Sequence, residues 1–271
     1  MMKKLGIIFD TTANKSKIEK IFKDASNVSL FFIQDIIFDQ AFQTPAQDGS
    51  LNGSTKAYIE AVNQLKNKNC DQILILTSHQ KLTKNYEHAT IAKDILKDQV
   101  IDILDTKSFG PALEYLASCI QKWLDKNFGY LKIFTLLNLQ IDLTSTWMMT
   151  KDKKFGITKN PFKKMMRQFV NSYVIQMQTN IAVKHTIYHA NKLTKTLYKH
   201  IKMYQKFSES VNVYIFSGDE PSGAKALQHE LYTIDKALNI HFYGTMPEVI
   251  SNIFGNDSFG IFISNYEETI I

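Results

Sequence analysis

The sequence QILILTSH, at residues 72–79, is a short apolar run that ends in two hydroxyls and a histidine. A bounded apolar run of this length is typical of a buried β-strand that opens into a polar turn. The sequence LGIIFDTT at residues 5–12 has the same form, and VIDILDTKS at residues 100–108 is a third example. Helix-like segments lie between the three runs. The sequence therefore predicts an α/β fold whose first sheet is mainly parallel, with crossover helices.

Helix start signals support this alternation of strands and helices. Ser16 and Glu19 have the spacing of a capping box, which predicts a helix from about Ser16. Ser54 is a plausible N-cap for a second helix over residues 55–66. Two further helices are predicted over residues 84–97 and 111–127, and residues 40–53 have the Pro, Asp-Gly and Asn-Gly content of a loop.

Hydroxyl groups follow all three predicted strands, at Thr11 and Thr12, at Thr77 and Ser78, and within residues 105–108. In open parallel sheets, ligands bind outside the carboxyl ends of the strands. No phosphate loop, dinucleotide fingerprint, nucleophile elbow or zinc spacing accompanies these hydroxyls. The pattern predicts a site that holds a carboxylate or phosphate through neutral donors, without catalysis.

Asp10 and Asp105 each follow a predicted strand, and two roles are open to them. Either side chain could bind a metal ion or act as a base. Capping the turn that follows is the preferred interpretation, because aspartate side chains readily accept hydrogen bonds from the backbone two residues on.

A second α/β domain is predicted over residues 129–271, after a first domain at residues 1–128. Its predicted strands lie at residues 131–139, 211–216, 240–243 and 259–263, with a hairpin formed by residues 173–177 and 181–185. Its predicted helices lie at residues 162–171, 190–207, 222–238 and 247–254.

Positive charge is concentrated in one segment of the second domain. Residues 151–206 hold twelve lysines and Arg167 against the single acid Asp152, a balance of 13 − 1 = +12, while the whole chain is +6. The segment is either a solvated lysine-coated face or a docking surface for an acidic protein, an anionic membrane or nucleic acid. It carries no recognised nucleic-acid motif, which makes nucleic acid the weakest of these partners. His185 and His189 are interpreted as surface residues, since no further metal-ligand cluster accompanies them.

Composition favours a protein of the reducing cytoplasm. The apolar stretch near the N-terminus ends at Asp10, too early for the core of a signal peptide. Cys70 and Cys119 are far apart in sequence and are interpreted as two buried free thiols.

Several of these segments resemble the DegV family of bacterial lipid-binding proteins, which includes the binding subunits of fatty-acid kinases. Residues 10–14 resemble the family's opening Asp-Ser-Thr-Ala-Asp, and residues 100–108 resemble its strand ending in Asp-Ser-Lys-Ser. Residues 50–65 resemble its Thr-Ser-Gln-Pro-Ser segment, with hydroxyls kept at Ser50 and Ser54. Residues 81–86 resemble its Ser-Ser-x-Leu-Ser-Gly-Thr-Tyr-Gln motif. The closing domain is matched less sharply, over residues 213–231 and 247–263, with glycines at 255 and 260.

The resemblance implies a DegV-like fold of two α/β domains that buries a long acyl chain and holds its carboxylate through hydroxyls. It also implies a non-catalytic protein without a cofactor, whose ligand is a long-chain fatty acid and whose partner is a separate fatty-acid kinase. The expected lipid-binding residues, from the strand ends and the resemblance together, are Thr11, Thr12, Ser50, Ser54, Ser78, His79, Thr83 and Lys84.

The sequence departs from the family at several head-group positions. The family's serine pair falls on His79 and Gln80, its glycine falls on Lys84, and its late histidine falls near Ile253. Its arginine has no counterpart near residues 154–157. Two explanations remain open: His79 and Lys84, together with Lys154, rebuild a cationic carboxylate site, or the chain is a paralogue that has become a basic interaction module. Retained lipid binding is preferred.

Overall fold

The chain divides into two compact units, Met1–Ile141 and Asp142–Ile271. The computed structural model describes residues 4–33, 53–97, 100–156, 165–206, 208 and 211–265. The predicted loop at residues 40–53 and Ser50 lie outside these ranges, except for Gly53.

The first unit is a parallel sheet with crossover helices, as predicted. Its elements are β1 (Leu5–Phe9), α1 (Lys15–Ile21), β2 (Val28–Phe32), α2 (Gly53–Asn67), β3 (Gln72–Thr77), α3 (Asn85–Leu96), β4 (Ile101–Asp105), α4 (Pro111–Asp125) and α5 (Tyr130–Asp142). The strand order is β2-β1-β3-β4, and every neighbouring pair is parallel. The carboxyl ends of all four strands therefore lie at one edge of the sheet.

Strands β1 and β3 are buried on both faces, which explains why their sequences are continuous apolar runs rather than alternating ones. Ile8, Ile73 and Ile75 belong to one core cluster with Tyr58 and Val62 of α2. This packing holds the first turn of α2 in the same unit as the strand ends.

The second unit is built on a six-stranded mixed sheet. Its elements are β5 (Ser145–Thr150), β6 (Ser172–Met177), β7 (Ile181–Ile187), α6 (Leu193–Gln205), β8 (Val211–Ser217), α7 (Ser222–Ile234), β9 (Asn239–Thr245), α8 (Glu248–Phe254) and β10 (Phe259–Asn265), with short 3-10 turns at Lys153–Gly156, Arg167–Phe169 and Ala190–Lys192. The strand order is β7-β6-β5-β10-β8-β9. Only β8 and β9 are parallel among the described neighbours.

Both faces of this second sheet are apolar. Helices α6 and α7 cover one face, where Leu197 and Leu231 pack in one cluster with Trp147. Residues of alternate register point to the other face, and they too are buried: Met148, Ile175, Phe216 and Phe262.

The predicted strand at residues 131–139 was wrong, because the chain forms helix α5 there. Ile133, Leu137 and Ile141 are buried at intervals of four residues, the spacing of one helical face. The strand of this region is β5, in a segment for which neither a strand nor a helix was predicted. The division of the chain accordingly falls after Ile141, one helix later than the boundary predicted at residue 128.

Smaller differences concern helix ends. Helix α1 begins before Ser16, because Asn14 is its N-cap and accepts a hydrogen bond from the Lys17 amide. Helix α2 begins at Gly53, so Ser54 lies in its first turn. The helix predicted over residues 190–207 is a 3-10 turn followed by α6. Of the helix predicted over residues 162–171, the described part includes a 3-10 turn at Arg167–Phe169. The predicted hairpin is confirmed as β6 and β7.

Two further properties bear on the predicted class of protein. Among the described residues, no helix combines the length and apolar character needed to cross a membrane. Both cysteines are free; Cys70 is buried, whereas Cys119 is partly exposed rather than buried as predicted.

Gly260 provides a test of the second sheet. A Cβ atom there would meet the ring of Phe216 and lie 2.6 Å from the carbonyl oxygen of Trp147. We expect Gly260→Ala to destabilise the protein by about 1–3 kcal/mol, because the neighbours include backbone and cannot simply rotate away. Gly129→Ala is the matched control, since a Cβ at Gly129 meets nothing within 4 Å. The measurement is thermal unfolding of both variants. An equal fall in their midpoint temperatures would contradict this packing.

Candidate functional site

A buried carboxylate, that of Asp10, lies at the carboxyl end of β1 and is 1% exposed. Its Oδ1 accepts hydrogen bonds from the amide and hydroxyl of Thr12, at 2.9 and 2.7 Å. Its Oδ2 accepts from the amide and hydroxyl of Ser78, both at 2.5 Å, and from Asn85 Nδ2 at 2.9 Å. Asp10 thus caps the turn after β1, as preferred from the sequence, and also joins that turn to β3 and α3.

The hydroxyl hydrogens around Asp10 already take part in hydrogen bonds within the protein. A carboxylate only accepts, so the single hydroxyl hydrogen of Ser78 points to Asp10. Ser78 Oγ must therefore accept from Thr83 Oγ1, which lies 2.8 Å away. Thr12 likewise gives its hydroxyl hydrogen to Asp10. In this arrangement Thr12, Ser78 and Thr83 offer lone pairs to a ligand but no hydrogen.

Backbone hydrogen bonds join the ends of β3 and β4. The Thr106 amide donates to Thr77 O at 3.0 Å, and the His79 amide donates to Ser108 O at 2.7 Å. Asp105 accepts from the Lys107 amide at 2.8 Å, the capping role preferred for it from the sequence. The structure therefore brings the three predicted strand ends together.

His79 is wholly buried in this junction. Its Nδ1 accepts a hydrogen bond from the Lys81 amide at 3.0 Å. In the neutral ring the proton must then be on Nε2, which makes that atom a donor.

Several buried polar atoms of the first unit have no hydrogen-bond partner within the described part of the chain, and Ser54 Oγ, Tyr58 OH, His88 Nε2 and Thr106 Oγ1 are among them. Such groups cost about 1–3 kcal/mol each when they stay unsatisfied, so they mark places where a ligand or water is expected. Ser54 and Tyr58 are one turn apart on α2, and Thr106 follows β4 directly.

Two of these groups have shifted acidities. Burial, and then the Asp10 carboxylate, raise the pKa of Tyr58 well above its usual value, so the phenol keeps its proton. Burial lowers the pKa of His88, with Glu87 opposing and Lys84 reinforcing the change, and this favours a neutral ring. The Nδ1 of His88 lies 3.1 Å from Thr55 Oγ1.

The remaining predicted residues are placed as follows. Thr11 is partly exposed and lies 3.5 Å from Asn85 Nδ2, and Lys84 is partly exposed at the start of α3. Lys154 belongs to the second unit, where it pairs with Asp152 at 2.9 Å. Asn85 was not predicted as a site residue, although its place two residues after Thr83, at a predicted helix start, was a usable signal. Tyr58 and His88 were not predicted either, because their sequence context is that of ordinary helix positions.

The histidines of the second unit differ from the prediction in one respect. His189 is exposed, as predicted, whereas His185 is half-buried and faces His200 of α6. The two Nε2 atoms are 2.8 Å apart, and burial lowers the pKa of both rings. No cluster of three or more metal-ligating side chains occurs among the described residues.

Comparison with known proteins adds to this geometry. A family model described as "Uncharacterised protein, DegV family" matches residues 34–155. The predicted resemblance to the DegV family is confirmed. No functionally curated protein matches the sequence.

Solved structures share the DegV-like fold from end to end. A fatty-acid-binding DegV family protein from Thermus thermophilus is 11% identical and has a TM-score of 0.74, covering 97% of this chain and 100% of its own. One from Streptococcus agalactiae is 14% identical with a TM-score of 0.74, at 98% and 100% coverage. A stearic-acid-binding protein from Eubacterium ventriosum is 14% identical with a TM-score of 0.69, at 98% coverage of both chains. At these identities the likeness establishes the DegV-like α/β fold.

The role of Asp10 is open to a direct test. Asp10→Asn replaces one carboxylate oxygen with an NH2 group, which cannot accept the hydrogen bonds that Ser78 or Thr12 donates. We therefore expect the free energy of unfolding to fall by about 2–4 kcal/mol. Asp105→Asn is the control, because that partly exposed side chain can still accept from Lys107. Thermal unfolding, read by circular dichroism, measures both. Equal, small effects would show that the Asp10 hydrogen bonds do not hold the strand ends.

Proposed function

We propose that this protein binds a long-chain fatty acid and catalyses no reaction itself. The observation that carries the proposal is the end-to-end match to DegV-fold structures described as binding fatty acids, including one loaded with heptadecanoic acid and one described as a stearic-acid-binding protein. The unsatisfied hydroxyls of Ser54, in the first turn of α2, and of Thr106, after β4, support it, since they suit an anionic head group.

We assign the head group to hydrogen-bond donors whose hydrogens are not already directed to Asp10. Ser54 Oγ and Thr106 Oγ1 each have a hydrogen to give, and His79 carries its proton on Nε2 in the neutral form. Thr12, Ser78 and Thr83 shape the site through Asp10 instead. Thr11 and Lys84, both partly exposed, are assigned to the rim.

Affinity depends mainly on the acyl chain. Burying about sixteen carbons contributes on the order of 10 kcal/mol before entropy costs, at ~0.8 kcal/mol per methylene. A head-group contact adds ~1–3 kcal/mol. Replacement of the family's serine pair by His79 and Gln80 is therefore compatible with binding, although it changes how a carboxylate is held.

The finer role that we propose is presentation of the carboxylate to a separate fatty-acid kinase. Transfer of a phosphoryl group requires an exposed and well-placed head group, which the partly exposed Thr11 and Lys84 permit. A cytoplasmic location fits the two free thiols, Cys70 and Cys119.

The basic segment is assigned to docking on an anionic membrane surface. Helix α6 and its flanks carry five exposed lysines: Lys192, Lys195, Lys199, Lys202 and Lys206. Lys202 lies 3.6 Å from Asp235, whereas Lys195 and Lys199 are one turn apart on the exposed side. Attraction of this kind is long-ranged and screened by salt.

Lipid content tests the main proposal. Protein purified under mild conditions and then denatured should release long-chain fatty acid in roughly stoichiometric amount, because a ligand buried over most of its surface dissociates slowly. Mass spectrometry measures it. The proposal would be overturned if the protein were free of lipid and also failed to bind added palmitate.

Head-group variants test the assignment of donors. Ser54→Ala and His79→Ala should each weaken fatty-acid binding by about 1–3 kcal/mol, since each removes a donor from a buried site. Ser118→Ala, at an exposed serine of α4, is the control. Unchanged affinity in both site variants would place the carboxylate elsewhere.

Charge reversal tests the docking surface. Lys195→Glu with Lys199→Glu should weaken binding to anionic vesicles, most clearly at low salt, and leave the lipid content unchanged. Lys122→Glu with Lys126→Glu, on the first unit, makes the same change in net charge. Vesicle sedimentation that responds equally to both pairs would contradict a local surface, and tight sequence-selective RNA binding would favour the nucleic-acid alternative.

A further inference from the structure

The second unit contains a cavity of about 670 Å³, a size that suits a small organic ligand. It lies beside α6 and strands β5 to β7, on the sheet face that α6 and α7 cover. All of its lining residues belong to the second unit, and none of them is among the expected fatty-acid-binding residues.

One wall of the cavity is aromatic. The rings of Trp147 and His200 stack with their centroids 3.9 Å apart and their planes 25° from parallel. Leu143 and Met203, which also line the cavity, are 40% and 54% exposed and extend the apolar surface to the outside. A ligand with a flat apolar body would bury this surface.

The cavity is lined by a buried donor that lacks an acceptor. Trp147 is 2% exposed, and its Nε1 has no hydrogen-bond partner within the described part of the chain. An indole N–H can only donate. A ligand that satisfies Trp147 must therefore bring an acceptor atom.

The histidine pair, when both rings are neutral, supplies one further donor. Because the two Nε2 atoms are 2.8 Å apart, one ring carries a proton on Nε2 and the other accepts it. The accepting ring, when neutral, then holds its own proton on Nδ1, which is a donor. His200 is held in place by Trp147 and by the packing of Leu197 and Ile201 on either side of it in α6.

A positive charge, that of Lys184, acts on the histidine pair. Burial is the largest cause of the lowered pKa of both His185 and His200, and His185 is the next cause for His200. Lys184 of β7, which lines the cavity, lowers the pKa of both rings further. Asp142 also lines the cavity, but it is not among the charges that shift the pKa of either histidine. An anionic group near the pair would thus be attracted rather than repelled.

We propose that this cavity is a second ligand site, for a small organic carboxylate with a planar apolar body. The apolar body lies against the Trp147–His200 wall. The carboxylate accepts from the Trp147 indole and faces Lys184.

The test uses 2-naphthoate as the probe and its uncharged counterpart 2-naphthamide as the matched ligand. Binding to the full chain is followed by calorimetry and by the indole N–H signals in proton–nitrogen NMR spectra. The chain has two tryptophans, so Trp147→Phe assigns its signal by difference. Naphthoate should shift the Trp147 signal and leave that of Trp123 in place.

Two variants then separate the charge from the hydrogen bond. Lys184→Gln and Trp147→Phe should each weaken naphthoate binding by about three- to tenfold. Lys184→Gln should leave naphthamide binding unchanged. Lys195→Gln, an exposed lysine of α6 that does not line the cavity, is the control for Lys184.

Two results would overturn the proposal. The first is the absence of naphthoate binding up to millimolar concentration. The second is binding that neither Lys184→Gln nor Trp147→Phe weakens, which would place the probe elsewhere. Lys184 is exposed, so its variant remains informative if Trp147→Phe fails to fold. The lipid content of each sample, measured by mass spectrometry, distinguishes failure of this site from failure of the fatty-acid proposal.

Discussion

The arrangement at the edge of the first sheet depends on the Asp10 side chain and its five hydrogen-bond donors. Without them a buried carboxylate would be costly, and with them it orders three separate segments at once. Ser78 and Asn85 are fixed directly, and Thr83 is fixed through Ser78. The polar edge of the sheet is therefore a connected network, and its members cannot be assigned roles one at a time.

This network changes what the edge can bind. Hydroxyls in a sequence look alike, but those that donate to Asp10 can only accept from a ligand, whereas Ser54 and Thr106 can still donate. A fatty-acid carboxylate beside a buried aspartate would be repelled if both charges were bare. The donors that surround Asp10 offset part of that repulsion. The imidazole of His79, when neutral, can contribute a donor without adding a charge that must be desolvated.

Much of the first unit could be predicted from the sequence, because apolar runs that end in polar turns define parallel strands whose ends must meet. Residues 131–139 were misread because a buried helix and a buried strand can both have a short apolar sequence. Strand β5, with the sequence STWMMT, lacks the β-branched alternation that marks a strand. The pairing of His185 with His200 depends on how α6 lies on the sheet, and no local pattern encodes that. Nor does the sequence show which hydroxyl groups donate their hydrogen to Asp10.

The strand order of the second unit has a consequence for its synthesis on the ribosome. Strand β10 lies in the middle of the sheet, between β5 and β8, and Phe259 pairs with Met149 across 110 positions of the chain. The hairpin of β6 and β7 can close as soon as it is made, but one edge of β5 must wait for residues 259–265. Until then the growing chain exposes an unpaired apolar strand edge, a state in which chaperone binding and aggregation compete with folding.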